Sequence, residues 1–124
     1  MKCMLLTFFL ALALAAAQPA RKIPPEKAEI QFRTPAGVVT FKHQAHVQKY
    51  GVSCEQCHHT LEAKSEETPR ACSSCHLKTG SPQMPSLQSA VHKKCWDCHK
   101  GERAKGKKVP VQTECNGCHV KKTG

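Results

Sequence analysis

Apolar and polar residues alternate along one stretch of the chain, between Ile30 and Phe41. Two alternating runs are separated by Pro-Ala-Gly at positions 35–37, a composition that favours a turn. Alternation with a period of two residues is typical of strands with one buried face. The pattern therefore predicts a β-hairpin over residues 30–41.

Short helices are predicted beyond this hairpin. Residues 42–50 suit one helix, on which His43 and His46 share a side because residues three apart are neighbours on a helix surface. Residues 87–93 suit another. Ser, Thr, Lys, Gly and Pro fill much of the remaining chain, and segments such as 78–85 and 101–110 are predicted as loops.

Large apolar residues are too thinly spread to build an ordinary core. They are few: Ile30, Phe32, Val39, Phe41, Val47, Leu61, Leu77, Leu87, Val91, Trp96 and a small number of others. A small scaffold of this kind needs cross-links or bound groups to fold stably. We therefore expect mostly loops and short α-helices, wrapped around whatever supplies the missing apolar volume.

The N-terminus has the pattern of a secretory signal peptide. Lys2 is followed by an apolar run from Cys3 to Ala17, which is too short to span a bilayer comfortably. Small residues at the end of the run fit cleavage before Gln18. We predict a signal peptide at 1–17, an exported mature chain of residues 18–124 with no transmembrane segment, and a periplasmic location.

Four pairs of cysteines, each two residues apart, are followed at once by a histidine. The motifs are Cys54-Glu-Gln-Cys57-His58, Cys72-Ser-Ser-Cys75-His76, Cys95-Trp-Asp-Cys98-His99 and Cys115-Asn-Gly-Cys118-His119. This spacing is typical of covalent attachment of c-type haem, because two thiols reach the two vinyl groups of one porphyrin while the histidine binds its iron. The motifs predict four covalently bound haem c groups.

Zinc sites and disulfides also use paired cysteines, but neither needs the histidine. Since 8 of the 124 residues are histidine, its chance occurrence after all four pairs has odds on the order of 10⁻⁵. A two-residue disulfide is usually a catalytic device, which a protein has little reason to repeat four times. Haem attachment is the favoured interpretation.

The remaining histidines match the number of vacant iron positions. Removing the four proximal residues (His58, His76, His99 and His119) leaves His43, His46, His59 and His92, which is one sixth ligand for each iron. Outside the predicted leader, Met84 is the only methionine. Bis-histidine ligation at every iron, and hence low reduction potentials, is the prediction.

The formal charge of +10 does not by itself indicate nucleic-acid binding. The mature chain has 18 basic and 9 acidic residues, and eight haem propionates would offset most of the excess. Nine basic residues nevertheless lie from Lys93 onward, against three acidic ones. They are either a solvated face or a docking surface for redox proteins, with the candidate lysines Lys93, Lys94, Lys105, Lys107 and Lys108.

In the number of their motifs and the order of their histidines, residues 30–124 resemble the class III cytochromes c, the tetrahaem cytochrome c3 group and its trihaem relatives. The most specific segment is Phe41-Lys-His43-Gln-Ala-His46, followed by the first motif and His59. The resemblance implies that His43 serves the first haem, His59 the second and His46 the third. His92 is left for the fourth. All four motifs here have a two-residue gap, whereas tetrahaem members often have four residues in the second and fourth.

The predicted organisation is a signal peptide at 1–17, a polar arm at 18–29 and a small tetrahaem cytochrome domain at 30–124 that begins with the β-hairpin. With both axial positions of each iron filled, we expect an electron carrier and not an enzyme. The resemblance implies transfer from a hydrogenase or dehydrogenase to membrane or extracellular acceptors in anaerobic respiration. The alternatives are a terminal reductase of metal ions or oxyanions, and a structural zinc protein.

Overall fold

The computed structural model of the chain describes residues 21–62 and 67–121. The predicted signal peptide and the first residues of the predicted arm lie outside them. Within the described residues, three strands and three α-helices are joined by loops and single 3₁₀ turns. They are β1 (Ile30–Thr34), β2 (Gly37–Phe41), α1 (His43–Gln48), α2 (Cys54–Cys57), α3 (Leu87–Ala104) and β3 (His119–Val120).

The predicted β-hairpin is confirmed. β1 and β2 pair antiparallel from Ile30 opposite Phe41 to Thr34 opposite Gly37, which leaves a two-residue turn at 35–36. β3 adds to the other edge of β2, with His119 opposite Val39. The two residues of β3 are too few to produce a periodic pattern, so this third strand was not predicted.

Gly37 permits β3 to approach β2 closely. Its φ angle is +130°, in the region that favours glycine. A Cβ atom on Gly37 would lie 2.8 Å from the carbonyl oxygen of Val120. The start of β2 therefore tolerates no larger residue without moving β3.

The predicted helix at 42–50 is present as α1, whereas the helix predicted at 87–93 is too short. α3 continues to Ala104, through the third motif and into the segment 101–110 that was predicted as a loop. The Ser86 side chain accepts a hydrogen bond from the Ser89 amide at 3.2 Å and caps the helix. Gly106, with a φ angle of +84°, ends it.

The described polypeptide builds almost no apolar core of its own. Among the described residues, Leu61 is the only buried hydrophobic side chain. Tyr50, Leu77 and Val120 are 59%, 64% and 64% exposed. The secondary-structure elements therefore do not pack on one another around an interior, as the thin spread of apolar residues predicted. The fold is a scaffold of loops, short helices and one small sheet.

Candidate functional site

In the first and second motifs, a turn of chain brings the histidine back toward the first cysteine of its own motif. In the first motif the amide of His58 donates to the carbonyl of Cys54 at 2.8 Å, and in the second the amide of His76 donates to that of Cys72 at 2.9 Å. The fourth motif begins with a 3₁₀ turn, and its histidine opens β3. The third motif lies within α3. The main chain of each motif therefore fixes where its histidine lies relative to its cysteine pair.

The eight histidines come together in four pairs. Each pair joins one motif histidine to one of the four other histidines, and the ring centres lie 6.2 Å apart for His43 and His58, 5.9 Å for His59 and His76, 6.3 Å for His46 and His99, and 6.0 Å for His92 and His119. This partition is the same as the one that the family resemblance implied.

These separations fit two imidazoles on opposite sides of one metal ion. An imidazole nitrogen binds a first-row metal ion at about 2 Å, so two rings facing each other across the metal have their centres about 6 Å apart. The chain's own residues therefore fit an iron with two axial histidines at each of four positions.

One short helix contributes to two of these pairs. His43 and His46 lie three residues apart on α1, yet the first faces His58 of the first motif and the second faces His99 of the third. The ring of Phe41 lies against both, with centres 5.7 Å and 4.6 Å away. α1 therefore holds the first and third sites next to each other.

Main-chain carbonyls orient five of the rings through Nδ1. The acceptors lie 2.9–3.0 Å from Nδ1 and are Lys27 for His43, Lys42 for His46, Arg70 for His58, Pro85 for His76 and Pro110 for His99. A carbonyl oxygen can only accept a hydrogen bond, so Nδ1 carries the hydrogen. Nε2 then keeps its lone pair, which is the form that binds a metal.

His59 and His92 are held differently. Within the described residues, no hydrogen-bond acceptor lies beside either ring. His92 instead stacks on Trp96, with an angle of 11° between the two planes. Trp96 belongs to the third motif, so this contact links the third motif to a ring of the fourth pair. The i, i+4 spacing of the two residues would have indicated the contact if a helix through the third motif had been predicted.

Three of the cysteine thiols have raised pKa values. Burial raises the pKa of Cys95 to about 11, and burial also raises the pKa of Cys57 and Cys118. Catalytic cysteine pairs have lowered pKa values, because the thiolate is their reactive form. The charges of Cys72 and Cys98 would add to the increase at Cys57.

The described residues do not bring a set of zinc ligands together. Across residues 21–62 and 67–121, no three side chains of His, Cys, Asp or Glu gather around one point. A structural zinc ion needs four such ligands in a tetrahedron. The histidines of this chain meet two at a time, which is the number of axial ligands that a haem iron takes from the protein.

Three of the five candidate docking lysines are in ion pairs. Lys93 contacts Asp97 at 2.7 Å, and both Lys105, at 2.8 Å, and Lys107 contact Glu102. In the described part of the chain, Lys94 and Lys108 form no ion pair. The part of the chain from Lys93 onward, here called the basic end, thus presents less unpaired positive charge than its sequence indicates.

The two lysines that pair with Glu102 also act on its ionisation. Their hydrogen bonds, that of Lys105 first, lower the pKa of Glu102 to about 2. The carboxylate is therefore charged at any pH near neutrality. Lys107 and Lys108 also line an open cleft of about 610 Å³ next to the fourth motif, together with Arg103 and Glu114.

No helix in the described segments is both long and apolar enough to cross a membrane.

Comparison with known proteins relates most of the chain to one group. A sequence model of the class III cytochrome C family matches residues 17–119. A cytochrome c3 of Desulfuromonas acetoxidans is 27% identical over 92 residues, which cover 74% of this chain and 96% of that protein. The 26 kDa cytochrome c3 of Desulfomicrobium norvegicum is 29% identical over 92 residues, with coverages of 68% and 78%. A high-molecular-weight cytochrome c of Nitratidesulfovibrio vulgaris is 30% identical over 74 residues, and the chain spans 13% of its length.

Proposed function

The chain belongs to the class III cytochrome c family, and from that premise we propose that it is a periplasmic, low-potential electron carrier with four bis-histidine haems. The family consists of multihaem electron carriers with covalently attached haem c. The observation that supports four sites in this chain is the set of four histidine pairs, each with ring centres about 6 Å apart and each beside one cysteine pair.

In this proposal each residue type has one role. The cysteines form thioether bonds to the haems, and the histidine that follows each pair is the proximal ligand: Cys54, Cys57 and His58; Cys72, Cys75 and His76; Cys95, Cys98 and His99; Cys115, Cys118 and His119. The distal ligands, in the same order, are His43, His59, His46 and His92. Main-chain carbonyls that accept from Nδ1 hold five of the eight rings, those of His43, His46, His58, His76 and His99, in the tautomer that leaves Nε2 free for iron.

Histidine at both axial positions favours a carrier over an enzyme. When bound, haem c takes up and releases single electrons at its iron. Two imidazoles per iron leave no coordination position for a substrate. α1 supplies ligands to two sites from residues three apart, and Trp96 joins the third motif to the fourth pair. The chain thus holds its sites close to one another, as transfer among them requires.

The proposed location rests on residues 1–17, which have the sequence of a signal peptide. Cytochromes of this kind exchange electrons with other redox proteins, and we propose a dehydrogenase or hydrogenase as donor and a membrane or extracellular acceptor. The docking surface we propose is the basic end. Of the five candidate lysines, Lys94 and Lys108 have no ion pair among the described residues and are the two most available to an acidic partner.

Mass spectrometry and a potentiometric titration test the proposal together. After export with the haem maturation machinery, the mature protein should carry the mass of four haems on residues 18–124. Visible spectra should show low-spin iron in both oxidation states, and the titration should resolve four one-electron steps at low potential. A mass equal to the bare polypeptide would refute haem attachment. Saturable turnover of a metal ion or oxyanion, faster than outer-sphere transfer, would favour a terminal reductase instead.

A further inference from the structure

The proximal histidine of the fourth motif differs from the other three in its hydrogen-bond acceptor. His58, His76 and His99 each donate from Nδ1 to a main-chain carbonyl between 9 and 12 residues further along the chain. The Nδ1 atom of His119 instead lies 3.2 Å from the hydroxyl oxygen of Thr34, which is 85 residues earlier. One proximal ring is therefore oriented by a side chain from the opposite end of the domain.

The direction of this hydrogen bond follows from the other bond that Thr34 makes. A threonine hydroxyl has one hydrogen to donate, and the Thr34 hydroxyl directs it to the carbonyl of Gly37 at 2.8 Å. Toward His119 the hydroxyl oxygen can only accept. Nδ1 of His119 therefore donates, and Nε2 keeps the lone pair. Donation to Gly37 also polarises the hydroxyl, which makes its oxygen a better acceptor.

The three-stranded sheet holds both partners in place. Thr34 ends β1 opposite Gly37, the first residue of β2. The same β2 pairs with His119 in β3, and Gly37 lies against Val120. The hairpin thus fixes the hydroxyl and the ring relative to each other through main-chain hydrogen bonds. A hydroxyl held on a rigid element is a well-defined acceptor for the ring.

We propose that Thr34 is a positioning residue for the fourth haem site, which fixes the tautomer and orientation of His119 and lowers the reduction potential of that iron. Donation from Nδ1 makes an imidazole a more basic ligand, and a more basic ligand favours the oxidised iron. The N-terminal hairpin is then part of the second coordination shell of the fourth site. This proposal rests on the proposed function, because it takes His119 as an iron ligand.

Thr34→Val tests the role in the holoprotein, since valine keeps the branched shape and removes the hydroxyl. We expect about a tenfold loss of preference for the oxidised state at one iron, which is an upward shift of about 59 mV for one electron. The other three potentials should stay in place. Nuclear magnetic resonance of the reduced protein should show a changed chemical shift for the Nδ1 proton of one ligating histidine. The same proton should exchange faster with solvent. Thr34→Ser, which keeps the hydroxyl, should retain both properties.

Thr40→Val is the matched control, because Thr40 lies in the same sheet, opposite Gln31, and is exposed. Four unshifted potentials in Thr34→Val, or an equal shift in Thr40→Val, would overturn the role of Thr34. If Thr34→Val does not assemble with four haems, Thr34→Asp carries the test. Its carboxylate is a stronger acceptor, so one potential should fall, and a potential that stays or rises refutes the proposal. A wild-type protein without a fourth haem would refute the proposed function instead.

Discussion

Replacing Glu102 with glutamine should speed electron transfer with an acidic partner at low ionic strength. Glu102 pairs with Lys105 and Lys107, so its removal frees two cations at the basic end. The segment from Lys93 to Lys108 contains seven basic and two acidic residues, and its formal charge would rise from +5 to +6. If this segment is the docking surface, a partner with clustered carboxylates is attracted more strongly.

The expected size of the acceleration follows from Coulomb's law. One added charge about 10 Å from a partner carboxylate, in water with little salt, changes the encounter rate by about twofold. Two or three such carboxylates give an acceleration of about fourfold to eightfold. At an ionic strength of 0.01 M the screening length is about 30 Å, and at 1 M it is about 3 Å. The acceleration should therefore be present at the lower salt concentration and vanish at the higher one.

The protonation of Glu102 sets the pH range of this test. Hydrogen bonds from Lys105 and Lys107 lower the pKa of Glu102 to about 2. A lowered pKa means that the pairing is fully present above the ordinary value of 4.5 and is lost as the pH falls through about 2. The ratio of mutant to wild-type rates should therefore be constant from pH 5 to pH 8.

Stopped-flow reduction at several salt concentrations measures the effect, with the four potentials determined in parallel so that a change in driving force can be corrected. Glu26→Gln is the matched control, since it makes the same change in net charge on an exposed residue of the N-terminal 3₁₀ turn, outside the basic end. Equal acceleration by both variants would show that only net charge matters. That result would refute docking at the basic end and leave the carrier function untouched.

Two further sets of substitutions test the iron ligands and the sheet. The wild-type protein should bind no carbon monoxide, whereas His43→Ala and His46→Ala should each open one iron in four and the double variant two in four, measured by the change in the Soret band; carbon monoxide binding by the wild type would show that a proposed distal histidine is not a ligand. Gly37→Ala should destabilise the holoprotein by about 1–3 kcal/mol in thermal unfolding, because of its φ angle of +130° and the contact with Val120. Gly101→Ala, in open space on α3, should be neutral or stabilise by up to about 1 kcal/mol, and equal melting temperatures for the two variants would contradict this reasoning.

The parts of the fold that follow a local rule could be predicted from the sequence. The hairpin follows from alternation over residues 30–41 and a turn composition between the runs. The number of histidines predicted one distal ligand for each haem. Their pairing was implied by the family resemblance, and the structure brings together the same four pairs. Contacts between distant residues had no such signal. Thr34 and His119 are 85 residues apart, and β3 is too short to show a period.

The length of α3 was missed although its sequence carries a helical pattern. His92, Cys95, Trp96 and His99 follow the spacing i, i+3, i+4 and i+7, which places them on one face of a helix. A search for apolar residues passes over this face, because cysteines and histidines occupy most of it. In a chain of this kind the residues that bind a prosthetic group take the positions that core residues take elsewhere.

The missed helix also explains why the ion pairs of the basic end were not predicted. Lys93 and Asp97 are four residues apart, and Glu102 and Lys105 are three apart, so each pair meets only if the chain is helical there. A loop over the same stretch would leave all of its lysines exposed to solvent and without these ion pairs. With α3 extended to Ala104, two of the five candidate docking lysines, Lys94 and Lys108, remain without ion pairs in the described part of the chain. Secondary structure at the third motif therefore determines how much charge the proposed docking surface can offer to a partner.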